Sequence, residues 1–279
     1  MQSPPLELNQ AATPKRNPQA WYRPIFSPEH GVYVMLLVSF VTGATAAQAW
    51  SWATTLALLC AFSGFQAEHP WMLQIKQRSS FKPRFWVWGG LYSWVAASLA
   101  LYLLWQQGFW SSPLWVIYLS AFAAFGIDGI AVFRRGQKSV ANELITFAAV
   151  CLSAPFAYLV TTGNLVPQVG GLWALNALFF SSAIFTVKLR KSKTHSAMPG
   201  GVFHAIATLL ILALAYFRLL DPLTACAFGV ALVKFGFILW QRDWYCTTKI
   251  QRVALLETSM ALLFLVIVAL SLLPAHLPA

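Results

Sequence analysis

Long apolar runs separated by short basic segments dominate the chain. Runs long enough to cross a bilayer lie at 32–49, 50–67, 85–105, 113–133, 142–161, 170–188, 201–217, 221–241 and 253–273. Roughly 20 apolar residues in a helix cover the hydrocarbon layer, and a helix pairs its own backbone groups there. The pattern predicts an all-α polytopic membrane bundle of nine transmembrane helices. The first two runs are short and meet around Gln48–Ser51, which reads as a tight hairpin. Pro113, Pro167, Pro222 and Pro274 fall near run ends, whereas Pro155 lies inside the fifth run and predicts a kink.

The basic residues alternate with the runs. They gather before the first run (Lys15, Arg16, Arg23) and after the second (Lys76, Arg78, Lys82, Arg84). They recur after the fourth, sixth and eighth runs, around Arg134, Lys188 and Arg242. Seventeen of the 19 Lys and Arg residues fall on this one side; Arg218 is opposite and Lys234 lies inside the eighth run. The positive-inside rule then predicts a cytoplasmic N-terminus, an external C-terminus and a multi-pass protein of a bacterial-type inner membrane. Trp50, Trp52, Trp105 and Trp110 mark the outer ends and Trp71, Trp86, Trp240 and Trp244 the inner ones.

Composition narrows the class further. Only 10% of residues are charged, against about a quarter in soluble domains. The net charge of +11 sits in loops beside apolar runs, with no nucleic-acid-binding motif, so membrane lipids are the expected partners and nucleic acid is not. Cys60, Cys151, Cys226 and Cys246 form no C-x-x-C and read as small buried hydrophobes. Residues 1–24 are polar and Pro-rich without the apolar core of a signal peptide, and read as a disordered cytoplasmic tail. Residues 25–279 form a single transmembrane domain in this reading.

The polar groups carry the candidate chemistry. Glu29 and His30 enter the first run, and Glu68 and His69 leave the second on the same side. Asp128, Asn142, Glu143, His204 and Glu257 lie near inner ends, and Lys234 about two turns from one. A charge in lipid costs several kcal/mol unless it is paired or faces water. These groups are therefore expected inside the bundle, in one cavity open to the cytoplasm, with Lys234 reaching Glu257 or Asp128. Structural ion pairs or snorkelling would satisfy the same pattern. At the start of the first run Ser27 can cap a helix, Pro28 fits its first position and Glu29 complements its dipole. His30 is expected to point into the cavity. Neither Glu-His pair has zinc-ligand spacing, so no metal site is assigned.

Pro28-Glu29-His30-Gly31 leading into Met35-Leu36-Leu37-Val38 resembles the opening of the YwiC-like bacterial membrane proteins. The stretch from Arg134 to Asn142-Glu143, the Pro155 run and Phe179 to Lys188 and Arg190 are similar too, so the resemblance covers most of the chain after residue 24. In topology the chain more distantly resembles the UbiA prenyltransferase superfamily. That likeness implies transfer of an isoprenoid from its diphosphate inside a helical bundle, with Phe133-Arg134-Arg135, Lys138 and Gly163 similar to the diphosphate-binding region. Such enzymes hold Mg²⁺ on two Asp-rich motifs. Here the loop after the second run offers only Glu68, and 188–200 holds no acid.

Three functions follow as expectations. The first is a diverged prenyltransferase-like protein binding an anionic, isoprenoid or phosphorylated lipid. Lys76, Arg84, Arg134, Lys138, Asn142, Glu143, Lys188, His204 and Lys234 would bind the ligand, and Glu29, His30, Glu68 and Glu257 would supply acid or base. No cofactor is named. The second is a transporter of a small anion or proton-coupled solute, for which the sparsely charged outer half is unfavourable. The third is a non-catalytic scaffold or assembly factor, indifferent to loss of Glu29, His30 and Lys234.

Overall fold

The computed structural model describes residues 21–78, 80–190 and 196–273. These residues form helices and no strand, in the order α1 (His30–Ala46), α2 (Trp52–Gln77), α3 (Pro83–Gln106), α4 (Leu114–Phe133), α5 (Val140–Cys151), α6 (Ser153–Thr162) and α7 (Pro167–Arg190). Next come α8 (Met198–Tyr216), α9 (Pro222–Ala225), a 3₁₀ turn (Cys226–Phe228), α10 (Gly229–Trp240), α11 (Arg242–Thr247) and α12 (Ile250–Leu272). Counting α5–α6 and α9–α10 each as one rod, seven rods are long and apolar enough to cross a membrane. Of the nine expected, α1 has 17 residues and reaches about 25 Å, short of a ~30 Å hydrocarbon layer. Helix α2 is long but carries Gln66, Glu68 and His69 in its second half.

Local chemistry sets the boundaries. Ser51 caps α2 reciprocally with Thr54: Ser51 Oγ accepts from Thr54 N at 3.2 Å, and Thr54 Oγ1 accepts from Ser51 N at 3.1 Å. The second run thus starts where expected, but its helix continues through Pro70 to Gln77. Ser27 is not the cap of α1. The helix starts at His30, with Glu29 in the cap position and no side-chain cap bond. The kink expected at Pro155 takes the form of a break at Leu152, between α5 and α6. Proline at 155 cannot donate to the Cys151 carbonyl, so the ladder weakens one turn earlier.

Helix α7 is central, with 61% of its most apolar stretch buried, against 11% for α4. Helix α1 threads between both halves of the bundle, packing on α6 and α12. At its crossing with α6 a Cβ on Gly43 would stand 2.0 Å from the Ala154 carbonyl oxygen, so only glycine allows this approach. Close backbone packing of this kind matters in lipid, where apolar contact alone gives little drive for helices to associate. One apolar cluster gathers Met35, Leu175, Phe179, Ile211 and Phe264; a second gathers Phe40, Ala57, Leu103, Leu114 and Phe156.

The two ends are fixed by cross-helix contacts. At the end bearing the basic loops, Arg78 donates to the Phe133 carbonyl, and Arg190 Nη1 and Nη2 donate to the Tyr245 and Thr248 carbonyls, both at 2.7 Å. At the opposite end Thr54 Oγ1 meets Thr161 Oγ1 at 2.7 Å and Gln107 Nε2 donates to the Leu159 carbonyl at 3.0 Å.

Candidate functional site

In the C-terminal half, the buried charge is paired. Lys234 on α10 is 1% exposed, and its Nζ lies 2.8 Å from Glu257 Oε2 on α12. Thr186 on α7 donates to the other Glu257 oxygen at 3.4 Å, and the Lys234 ammonium stands 5.6 Å from the Phe179 ring centroid. His204 is satisfied on both ring nitrogens. Nδ1 lies 2.7 Å from the Gly200 carbonyl, which only accepts, so Nδ1 donates and Nε2 accepts from Ser182 Oγ at 2.9 Å. Its ring stacks on Phe235 at 4.1 Å. These side chains leave little capacity for a ligand.

The N-terminal half is arranged differently. A cavity of about 630 Å³ opens among α1 to α6. Its walls are mostly apolar and small, with Ala61, Ala97, Ala100 and Ala121 among them, and aromatic rings such as Trp71 and Tyr118 between. Two carboxylates, Glu68 and Asp128, stand at the end nearest the basic loops. From Asp128 to Ile117 on α4 the lining runs about 16 Å. Asn142 Nδ2 donates to Asp128 Oδ1 at 2.6 Å, while Asn142 Oδ1 is buried without a partner. Neither Glu68 nor Asp128 forms an ion pair with a described residue.

Glu29 lies just outside this mouth. Its carboxyl is held above the ordinary carboxylate range, first by lost solvation and then by the Asp128 and Glu143 carboxylates. Glu29 is exposed, so the solvation part is weaker than in a closed site. The segment ahead of α1 is tied down beside it. Arg84 Nε donates to the Arg23 carbonyl at 2.9 Å and Arg84 Nη2 to the Pro24 carbonyl at 3.0 Å. Trp88 Nε1 donates to the Trp21 carbonyl at 3.0 Å. Gln66 then links Ser27 N and the Tyr33 hydroxyl, at 3.2 and 2.7 Å.

The structure divides the expected residues rather than gathering them in one cavity. Glu68 and Asp128 alone of them line the cavity described above; Lys234, Glu257 and His204 form the separate C-terminal cluster. His30 is exposed and lines no part of this cavity. Lys76, Arg134 and Lys138 are exposed at the basic end. Lys188 Nζ meets Glu143 Oε2 at 2.6 Å and donates to the Lys138 carbonyl at 3.5 Å. Arg84 is committed to backbone carbonyls. The cavity is therefore acidic at its mouth and not basic. Lys191 and Lys193, like residues 1–20 of the expected tail, lie outside the described residues.

Sequence reasoning missed Gln66 and Tyr33, and gave Asp128 no ligand role. A glutamine two residues before Glu68, inside an otherwise apolar run, was the available signal. No group of three His, Cys, Asp or Glu is placed to hold a metal among the described residues. Glu68 and the outer oxygen of Asp128 offer fewer donors than a protein-only site needs. They suit a hard cation that completes its shell with water and phosphate oxygens, as Mg²⁺ does.

The YwiC-like protein family matches residues 26–158, and every residue lining the cavity, from Leu36 to Phe156, lies within that stretch. Protoheme IX farnesyltransferase from Koribacter versatilis is 28% identical over 162 residues, which is 57% of this chain and 49% of that protein. The chain spans about half the length of this relative. No solved structure matches it. Residues 26–158 thus carry the YwiC-like resemblance, within a multi-pass membrane protein that is similar over 162 residues to a protoheme IX farnesyltransferase.

Proposed function

We propose that this protein holds an isoprenoid-type lipid, its hydrocarbon chain in the cavity among α1 to α6 and its polar head at Glu68 and Asp128. In this reading nine helices span an inner membrane, with the N-terminus and the basic loops in the cytoplasm and the C-terminus outside. The observation that carries it is an apolar cavity of about 630 Å³ ending at two carboxylates that no described cation neutralises. A buried or half-buried carboxylate without a cation beside it is costly, and such cost is retained where a ligand offsets it. The farnesyl transfer for which the relative is named supports an isoprenoid over an acyl chain. A phosphorylated head would bring its own negative charge. Glu68 and Asp128 would then hold a divalent cation, which neutralises phosphate, while Lys76, Arg134 and Lys138 supply a positive approach.

The test is mass spectrometry of lipid that co-purifies with the detergent-solubilised protein. Wild type should retain an isoprenoid lipid enriched over the bulk membrane, and a Glu68→Gln, Asp128→Asn variant should retain much less. Bulk membrane lipid alone, identical in both proteins, would reject the reading.

A further inference from the structure

Helices α3 and α4 both pack on α2, yet they scarcely touch each other. They meet near their outer ends, where Leu103 and Leu104 join Leu114 and Ile117 in one apolar cluster. There Tyr118 Oη donates to the Ala100 carbonyl at 3.4 Å. About one turn inward of that bond, Ala97 on α3 and Phe122 on α4 lie at one level. Both line the cavity that ends at Glu68 and Asp128, yet Ala97 is exposed and Phe122 is 75% exposed. A side chain that lines a cavity and also faces outward stands on its rim. Further inward the rim stays low. Gly90, Ser93 and Ala97 share one face of α3, and a Cβ on Gly90 or on Gly126 of α4 would meet no atom within 4 Å.

The neighbouring helix pairs are joined where α3 and α4 are not. Between α2 and α4 a Cβ on Gly129 would stand 3.6 Å from Ile75 Cδ1 and 3.9 Å from Met72 Cε, both ordinary contacts. One turn further inward Arg78 donates to the Phe133 carbonyl, and its guanidinium carbon lies 4.7 Å from the Phe133 ring centroid. Between α1 and α2 the Tyr33 ring meets Phe65 edge-on at 5.0 Å, and the Tyr33 hydroxyl accepts from Gln66. Asn142 ties α5 to α4 through Asp128. The physical chemistry of the ligand favours the same side. An isoprenoid that entered from the aqueous end would first leave the bilayer for water, at a cost that grows with every exposed carbon. One that passes between α3 and α4 stays among hydrocarbon throughout.

We propose that the isoprenoid enters and leaves the cavity sideways from the bilayer, between α3 and α4, with Ala97 and Phe122 as the two sides of the opening. This rests on the lipid-binding reading above and adds its route. The polar head travels at the level of Glu68 and Asp128, and Arg134 and Arg135, both exposed at the end of α4, draw its negative charge toward the inner end of the gap.

The full chain in detergent would be loaded with geranylgeranyl monophosphate and Mg²⁺, then mixed with an excess of the deuterated lipid. Native mass spectrometry follows the replacement of one by the other and the total amount held. Ala97→Phe fills the gap from outside the cavity and should slow exchange about tenfold while the amount held at equilibrium changes little. Ala97→Leu should slow it less and guards against misfolding of the larger variant, and Phe122→Ala should speed it. Leu119→Phe, on the outer face of α4 and away from the cavity lining, should exchange as wild type does. Equal exchange rates in wild type and all gap variants, or an equal slowing by Leu119→Phe, would overturn the route alone. No retention of the probe by well-folded wild type would overturn the lipid-binding reading, and the route with it.

Discussion

The two halves of this bundle treat charge in opposite ways. Around α7, α10 and α12 the one lysine inside a predicted span is closed against Glu257, and every polar atom of His204 is used. Around α2 and α4 two carboxylates stand at a cavity with no described cation beside them. The first arrangement holds helices together. The second spends stability to keep polar atoms available. A charged residue in a span is thus not by itself a site; what separates the cases is whether its partners are already supplied.

The contrast can be broken most forcefully at Lys234. Lys234→Met strands Glu257 and should cost about 3 kcal/mol, the lower range for breaking a buried pair, because Glu257 keeps some solvent. Heating in detergent, followed by the monodisperse fraction, measures it; Lys234→Met with Glu257→Leu should recover most of the loss. Gly43→Ala should cost roughly 1–3 kcal/mol by the same assay, because the new methyl meets the Ala154 backbone and not a movable side chain. Glu68→Gln and Asp128→Asn should raise stability slightly, by up to about 1 kcal/mol, while lowering retained lipid, because each removes a carboxylate with no described cation beside it. A loss as large as that at Lys234 would show that the two halves do not differ. The smallest effect is expected at Glu29. Its folded carboxyl is raised, so it lowers stability as pH rises above the ordinary carboxylate value and contributes nothing below it. Glu29→Gln should therefore stabilise slightly at neutral pH and not at pH 4, read as paired thermal midpoints.

Much of the helical frame was legible because hydropathy and basic loops report the same membrane boundaries. That Lys234 would meet a carboxylate was legible as well, since a lysine two turns inside an apolar run demands one, but the choice between Glu257 and Asp128 was not. The cavity was not. Ala61, Ala97, Ala100 and Ala121 read alike whether they face lipid, a neighbouring helix or open space. Arg84 resembled a ligand residue because its charge was visible and its backbone partners, some 60 positions away in sequence, were not. Depth along the membrane can be read from hydropathy, whereas angular position around the bundle depends on pairings such as Gly43 with Ala154. That is why groups at one depth were expected to meet and instead fall into two clusters.

Helix α4 walls the cavity that ends at Glu68 and Asp128, yet only 11% of its most apolar stretch is covered by the rest of the protein. Its outer face, with Leu119 and Ile130 projecting from it, belongs to the bilayer. Lateral pressure and membrane thickness therefore act directly on a wall that the protein itself holds lightly. A bilayer whose thickness does not match α4 is met by tilt of that helix, so the width of the cavity becomes a joint property of chain and membrane.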